Sequence, residues 1–230
     1  MNSSPLAGSG PSGPRPRAGV NFLEERPVKT VLFFDGQNLY HRAKEAWAPA
    51  ACPSPSRYHW PSYDVEKLAA VLTARQAGRV LSQIRFYTGV PEPTPGTKDE
   101  FWHGFWSNKI RYLRGKGIYA YTGRISRGGQ EKGVDVSIAV DLVDLTYKGL
   151  YEAAIIVSQD WDLGPAVKLA KTIAHDKGRQ LVFESAFPDV PGKSHRGVPG
   201  TTWFAIDKAT YDSCFDPRDY RPRSKSAPKP

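Results

Sequence analysis

The stretch TVLFFDGQNLY, residues 30–40, decides the fold class of this chain. Its first five residues are nearly all apolar, so they predict a short strand buried on both faces, as in a parallel sheet. Asp35 and Gly36 end this strand, and a helix is expected to follow through about residue 46. A buried strand that passes through a short polar turn into a helix is the repeating unit of a parallel α/β sheet.

The same alternation continues along the rest of the chain. Further strands are expected at 80–87, 117–125, 153–157 and 180–183, with a short edge element at 203–206. Helices are expected at 64–76, 98–114, 133–147 and 162–175. The helix 133–147 is apolar nearly all round and is therefore expected to be well buried. The pattern predicts a Rossmann-like α/β domain with a central parallel sheet of about five strands flanked by helices.

The two ends of the chain differ in composition from its middle. Residues 1–27 are mostly Ser, Pro, Gly and Ala, and residues 215–230 are basic and rich in Pro. Neither segment can bury enough apolar surface to offset the entropy of ordering, so both are expected to be disordered tails. One folded domain is expected at 28–214.

Composition excludes several classes of protein. Of the 230 residues, 40% are apolar, which is enough for a core. Cys52 and Cys214 match neither a zinc nor a disulfide spacing, so a reducing cytoplasmic location is expected. No apolar run approaches the roughly 18 residues of a membrane span, and the N-terminus lacks the layout of a signal peptide, so no membrane partner is expected.

Carboxylates follow the predicted ends of two strands. Asp35 comes directly after the first strand, with Asn38 one helical turn later, and Asp160 and Asp162 come just after the fourth. Asp135 opens the helix 133–147. If the first and fourth strands are neighbours, these side chains converge beyond the carboxyl ends of the strands, where such sheets bind ligands. Taken singly, each aspartate could equally be a helix cap.

Four carboxylates cannot stay ionised together at neutral pH without a cation. Oxygen ligands select Mg²⁺ or Mn²⁺, and such a metal ion can activate water and neutralise charge at phosphorus, so the predicted chemistry is phosphodiester hydrolysis. Asp35, Asp135, Asp160 and Asp162 are the expected ligands. Asp141 and Ser158 are expected to position these ligands without binding the metal ion themselves.

A basic segment lies between the first and last acidic motifs. Residues 97–132 hold eight basic and three acidic residues, interleaved with aromatic side chains. Charges that follow phosphates and rings that stack on bases hold single strands without strict sequence reading. The residues expected to contact RNA are Arg124, Arg127, Lys132, Lys109 and Arg114.

Three motifs in order resemble a known family. They are FFDGQNL at 33–39, KGVDV at 132–136 and SQDWDL at 158–163. They resemble the NYN domain family of PIN-like nucleases, including its LabA-like bacterial branch, over about residues 29–184. The resemblance implies a PIN-like fold, an acidic pocket for Mg²⁺ or Mn²⁺, and ribonuclease activity. The site residues that match are Asp35, Asn38, Asp135, Asp160 and Asp162.

Three functions follow as hypotheses. The leading one is a metal-dependent endoribonuclease acting on single-stranded or structured RNA. The second is a non-catalytic, RNA-binding regulatory module on the same fold, suggested by the bulky Trp161 between two expected ligands. The third is a phosphatase or nuclease acting on small nucleotides or DNA. Self-association into a homodimer stays open.

Overall fold

Seven strands form one sheet in the computed structural model, which describes residues 26–48, 56–126, 129–193 and 195–222. In chain order they are β1 (Val28–Asp35), β2 (Arg79–Pro91), β3 (Tyr119–Ile125), β4 (Glu131–Lys132), β5 (Ala153–Val157), β6 (Val182–Pro188) and β7 (Thr202–Ile206). Across the sheet they lie in the order β4-β3-β2-β1-β5-β6-β7. All neighbouring pairs are parallel except β3 with β4. The parallel α/β class is therefore confirmed, with seven strands instead of about five.

Six α-helices among the described residues cover the two faces of the sheet. They are α1 (Gly36–Trp47), α2 (Val65–Ala74), α3 (Lys98–Gly115), α4 (Val134–Lys148), α5 (Gly164–Asp176) and α6 (Lys208–Ser213). Helices α1, α2, α3 and α6 contribute to one core cluster, while α4 and α5 contribute to the other. None of the helices among the described residues is long and apolar enough to cross a membrane.

Strand β1 is apolar at each of its residues 31–34. Leu32 and Phe34 face the α1–α3 side of the sheet, whereas Val31 and Phe33 face α4 and α5. All four side chains are fully buried. Because successive residues of a strand point to opposite faces, the middle of a central strand between two helical layers is apolar on both faces.

The expectation that α4 is buried all round is wrong. Its inner face is buried through residues spaced three and four apart, including Val134, Ile138 and Leu142. Val136 and Val140 are 66% and 59% exposed. The helix covers only one face of the sheet, and among the described residues no further layer lies over its outer side.

The expected boundary at residue 214 is also wrong, because residues 215–222 pack against the domain. Asp216 and Tyr220 are buried, and the Asp216 carboxylate accepts a hydrogen bond from the Tyr220 hydroxyl at 2.9 Å. Arg218 forms ion pairs with Asp64 and Asp216, both at 3.0 Å. The side chains that make these contacts are polar, so the sequence gives no sign that they pack against the domain. Residues 1–25 and 223–230 lie outside the described part of the chain.

Candidate active site

The carboxyl ends of β1 and β5 lie side by side at the point in the sheet where the order of strand addition reverses. From β1 the chain builds outward through β2 and β3 on one side, and later through β5 and β6 on the other. The two strands are parallel neighbours, with Phe34 opposite Val157. Such a switch point leaves a crevice beyond the strand ends, which is where open α/β sheets bind ligands.

Asp35 is the last residue of β1 and lies at the bottom of this crevice. It is only 3% exposed. One carboxylate oxygen accepts the backbone N–H of Asn38 at 2.9 Å, which caps α1, and the other accepts the Ser158 hydroxyl at 3.2 Å. Burial raises the pKa of Asp35 to about 7, and the negative charges of Asp135 and Asp160 add to this effect.

The segment after β5 is held by hydrogen bonds between its own residues and to α1. The Ser158 hydroxyl accepts the N–H of Asp160 at 3.1 Å, and the Asp160 carboxylate accepts the N–H of Asp162 at 2.9 Å. The Asn38 side-chain oxygen accepts the N–H of Gln159 at 3.3 Å. Ser158 therefore connects the Asp35 carboxylate with the backbone of Asp160, and Asn38 fixes the loop that carries Asp160.

Asp135 reaches the same crevice from the first turn of α4. The helix starts after Gly133, which has a φ of 84°, a left-handed conformation that glycine adopts without strain. The pKa of Asp135 is raised by burial, by the charges of Asp160 and Asp162, and by a side-chain hydrogen bond with Asp160. The four aspartates expected as ligands are therefore brought together.

Glu131 is a fifth carboxylate of the cluster, and the sequence analysis overlooked it. It lies on β4, where its carboxylate accepts the backbone N–H of Gly89 at the end of β2. Burial raises the pKa of Glu131 to about 8, with further contributions from the charges of Asp35 and Asp135. The available sequence signal was that Glu131 lies four residues before Asp135. A strand of two residues shows no hydropathy periodicity, so the position of the Glu131 side chain could not be predicted from it.

Gly89 makes room for this carboxylate. A Cβ atom at this position would lie 2.6 Å from a carboxylate oxygen of Glu131 and 2.8 Å from the Ile125 side chain. Both distances are below van der Waals contact. A side chain at residue 89 would therefore force the Glu131 carboxylate or the Ile125 side chain to shift.

The cluster carries negative charge without a protein cation beside it. None of the described lysine, arginine or histidine side chains forms an ion pair with the five carboxylates. Within the same described ranges, no three His, Cys, Asp or Glu side chains converge closely enough to enclose a metal ion as they stand. The oxygen-only donor set and the raised pKa values nevertheless suit a hard divalent cation, which would relieve the repulsion.

Two of the expected site residues lie elsewhere. Asp141, expected to support the ligands, instead accepts hydrogen bonds from the Arg85 guanidinium and the Tyr87 hydroxyl, both at 2.6 Å. It lies about one and two-thirds turns along α4 from Asp135, so its side chain leaves the helix on a different side.

Lys109 cannot contact RNA, because its side chain is fully buried. The ammonium group donates to the backbone oxygens of Pro61 and Tyr63 at 2.8 Å each and lies 3.7 Å from the Asp216 carboxylate. Burial lowers the pKa of Lys109 to about 8. Helical periodicity places this lysine off the aromatic stripe of α3, but residues from distant parts of the chain cover it.

The remaining described basic residues that were expected to contact RNA are exposed. Arg124 and Lys132 lie opposite each other on β3 and β4, and their side chains leave the sheet on the face away from the neighbouring pair, Ile125 and Glu131. Arg114 is exposed and donates to the backbone oxygen of Ala120 at 2.8 Å. Arg127 lies outside the described residues.

Trp161 lies in the 3₁₀ turn that follows Asp160 and is 55% exposed. Its side chain therefore stands largely in solvent.

Comparison with known proteins gives a family and one structural neighbour. The model of the NYN domain family matches residues 29–179. A crystal structure of a protein of unknown function from Vibrio parahaemolyticus is 18% identical, covers 80% of this chain and 96% of its own, and superposes with a TM-score of 0.49. No curated protein matches the chain. The family match includes β1, the α4 start and the segment after β5, so all five carboxylates lie within it.

Proposed function

Because the chain belongs to the NYN domain family, whose fold is nuclease-like, we propose that it is a metal-dependent ribonuclease. The observation that carries the proposal is the cluster of buried and half-buried carboxylates at the switch point, which has no cationic partner among the described residues. Such a cluster is costly for the folded protein unless a cation occupies it in use. Magnesium or manganese is the cofactor proposed.

Each residue of the cluster has a proposed task. Asp35, Asp135 and Asp160 would hold the cation, and Asp162 would complete the ligand set at the open side. When bound, the metal ion supplies an activated water and stabilises negative charge at phosphorus. Asn38 and Ser158 are positioning residues, because their hydrogen bonds fix the Asp160 loop and the Asp35 carboxylate.

Glu131 has a different proposed task. With a pKa of about 8 it is mostly protonated at neutral pH, so its carboxyl group can donate a proton in the crevice. Proton transfer to the leaving oxygen is the step it would serve.

The proposal is tested by cleavage of a labelled single-stranded RNA of about 20 nucleotides with Mn²⁺, Mg²⁺ or EDTA. Asp160→Asn is the informative variant, because asparagine keeps the oxygen that accepts the N–H of Asp162. Asp144→Asn is the matched control, since Asp144 pairs only with Lys148 on the exposed side of α4. Metal-dependent cleavage that is lost in Asp160→Asn alone would support the proposal, and equal cleavage by both variants would refute it.

The second candidate is an RNA-binding regulatory module without catalysis. It is favoured by one observation, that no three of the described carboxylates converge on a common point as they stand. The same assay separates it from the first candidate: RNA binding without cleavage in any metal would support it. Faster hydrolysis of mononucleotides or DNA than of RNA would instead support a small-nucleotide phosphatase or a deoxyribonuclease.

A further inference from the structure

A second polar face runs along α3, opposite its aromatic face. His103, Ser107, Arg111 and Arg114 recur at intervals of three and four residues, so their side chains leave the helix on one side. The other side carries the buried aromatic and aliphatic residues that pack on the sheet. The polar side is left open to solvent, with Arg111 and Arg114 both exposed.

Two adjoining cavities lie over this face. One, of about 560 Å³, is bounded by α3 and by Arg124 at the carboxyl end of β3. The other, of about 650 Å³, is bounded by α3 and by Arg221 of the segment that follows α6. Because both are lined by His103, Ser107 and Arg111, they form one continuous depression, the α3 groove, defined by these three residues with Arg114, Arg124 and Arg221.

The charge of the groove is positive and largely unpaired. Within the described residues, Arg111, Arg114 and Arg124 have no carboxylate within ion-pair distance. The Asp219 carboxylate at the far end is already bound by Arg221, with contacts from 2.6 to 3.0 Å. Glu92 is the other acidic residue of the wall, so arginines outnumber acids along the groove.

The Arg124 end of the groove lies at the edge of the sheet that carries the candidate active site. Arg124 lies opposite Lys132 in the β3–β4 ladder, so the side chains of both leave the sheet on the face away from the next pair, Ile125 and Glu131. Both pairs lie at the carboxyl end of β3, the same edge of the sheet at which Asp35 ends β1. An anionic strand lying along α3 would therefore reach the carboxylate cluster by crossing this edge at its Arg124 end. Arginine is suited to this task, because its planar guanidinium binds phosphate oxygens through two hydrogen bonds.

We propose that the α3 groove binds the phosphate backbone of single-stranded RNA and leads it to the carboxylate cluster. The inference rests on the proposed function for the identity of the ligand. The positive walls form a depression instead of a flat face, which suits one strand better than a duplex. The segment 215–222 builds one wall of the groove, and it lies beyond the region that matches the family model.

The test is RNA binding measured without cleavage. Fluorescence anisotropy of a labelled oligouridine of about 20 nucleotides, in EDTA and over a range of salt concentrations, compares the wild type with Arg111→Gln/Arg114→Gln. The control, Lys67→Gln/Lys171→Gln, removes the same charge from exposed positions on α2 and α5. Each lost phosphate contact on a single strand lowers the salt slope by about 0.7, so two contacts correspond to about 25-fold weaker binding at 0.1 M salt if affinities converge near 1 M.

We expect the arginine variant to lose affinity by about this factor with a shallower salt slope, and the control to keep both. Equal losses of RNA affinity in the two double variants, or an unchanged salt slope in the arginine variant, would refute the proposed binding of RNA by the groove. Circular dichroism and thermal unfolding of both variants identify a folding defect. Arg111→Gln alone serves as the second variant, because the hydrogen bond of Arg111 among the described residues is to Asn108 of its own helix.

Cleavage separates this inference from the proposed function. A substrate of about four nucleotides is too short to follow the groove, so its cleavage rate should be the same in the wild type and the arginine variant. Cleavage of the 20-nucleotide strand should show a raised KM in that variant. If the wild type cleaves no RNA with any metal, the proposed hydrolysis is refuted. The binding experiment still decides whether the α3 groove binds RNA.

Discussion

The substitution Asp35→Asn should stabilise the metal-free protein while abolishing its activity. The Asp35 carboxyl has a pKa of about 7 in the folded chain against 3.8 as its ordinary value. The unfolded chain therefore releases this proton at lower pH than the folded chain does. From about pH 4 to pH 7 the free energy of unfolding of the wild type should fall by up to about 1.4 kcal/mol per pH unit from this group.

Above pH 7 the raised pKa of Asp35 lowers the free energy of unfolding of the wild type by at most about 4 kcal/mol. The asparagine side chain cannot ionise, yet it keeps an oxygen that can accept the N–H of Asn38. The pKa of Glu131 should also fall in this variant, because the charge of Asp35 contributes to raising it. Asp35→Asn should therefore be clearly more stable than the wild type at pH 8 and similar to it near pH 4.

Urea unfolding in EDTA, followed by tryptophan fluorescence between pH 4 and pH 8, measures this difference. The control is Asp144→Asn, whose exposed carboxylate pairs with Lys148 in the wild type. Manganese should narrow this difference, because a ligand at 100 times its Kd stabilises the wild type by about 2.7 kcal/mol and the variant binds it more weakly. Equal pH dependence in the wild type and Asp35→Asn would refute the electrostatic account of the cluster.

Three further substitutions test other parts of the structure. Lys109→Met should lower the free energy of unfolding, measured in urea, by about 3 kcal/mol, because it leaves the buried Asp216 charge without its ammonium neighbour. The affinity for RNA should stay unchanged. A weakened affinity with full stability would contradict the buried role of Lys109. Gly89→Ala should lower the cleavage rate at least 10-fold, because the new methyl group displaces Glu131, and an unchanged rate would argue against a role for that carboxyl. Trp161→Gly should keep metal-dependent cleavage, since the indole is mostly exposed; a large gain in rate would mean that Trp161 obstructs the crevice.

The sequence predicted the convergence of the four aspartates because apolar runs identify β1 and β5. Both strands are buried on both faces, and a doubly buried strand leaves a strong signal in hydropathy. Once the strands are known, the polar residues that follow them must lie at one edge of the sheet. Asp35 and Asp160 could therefore be placed together without any knowledge of side-chain contacts.

Other features depend on contacts that no local pattern carries. Glu131 enters the cluster through a two-residue strand and a backbone N–H supplied by Gly89, far along the chain. Lys109 is buried because Tyr63 and Asp216 come from separate segments to meet it. In each case tertiary packing decides the environment, and local periodicity gives no sign of it.

The measurement that tests the central claim most directly is binding of Mn²⁺ at about pH 8, followed by electron paramagnetic resonance as free Mn²⁺ disappears. The wild type should bind Mn²⁺ stoichiometrically, Asp144→Asn should do the same, and Asp160→Asn should bind much more weakly while remaining folded. A wild type that leaves all the Mn²⁺ free, or an Asp160→Asn variant that binds as tightly as the control, would contradict the assignment of the carboxylate cluster as a metal centre.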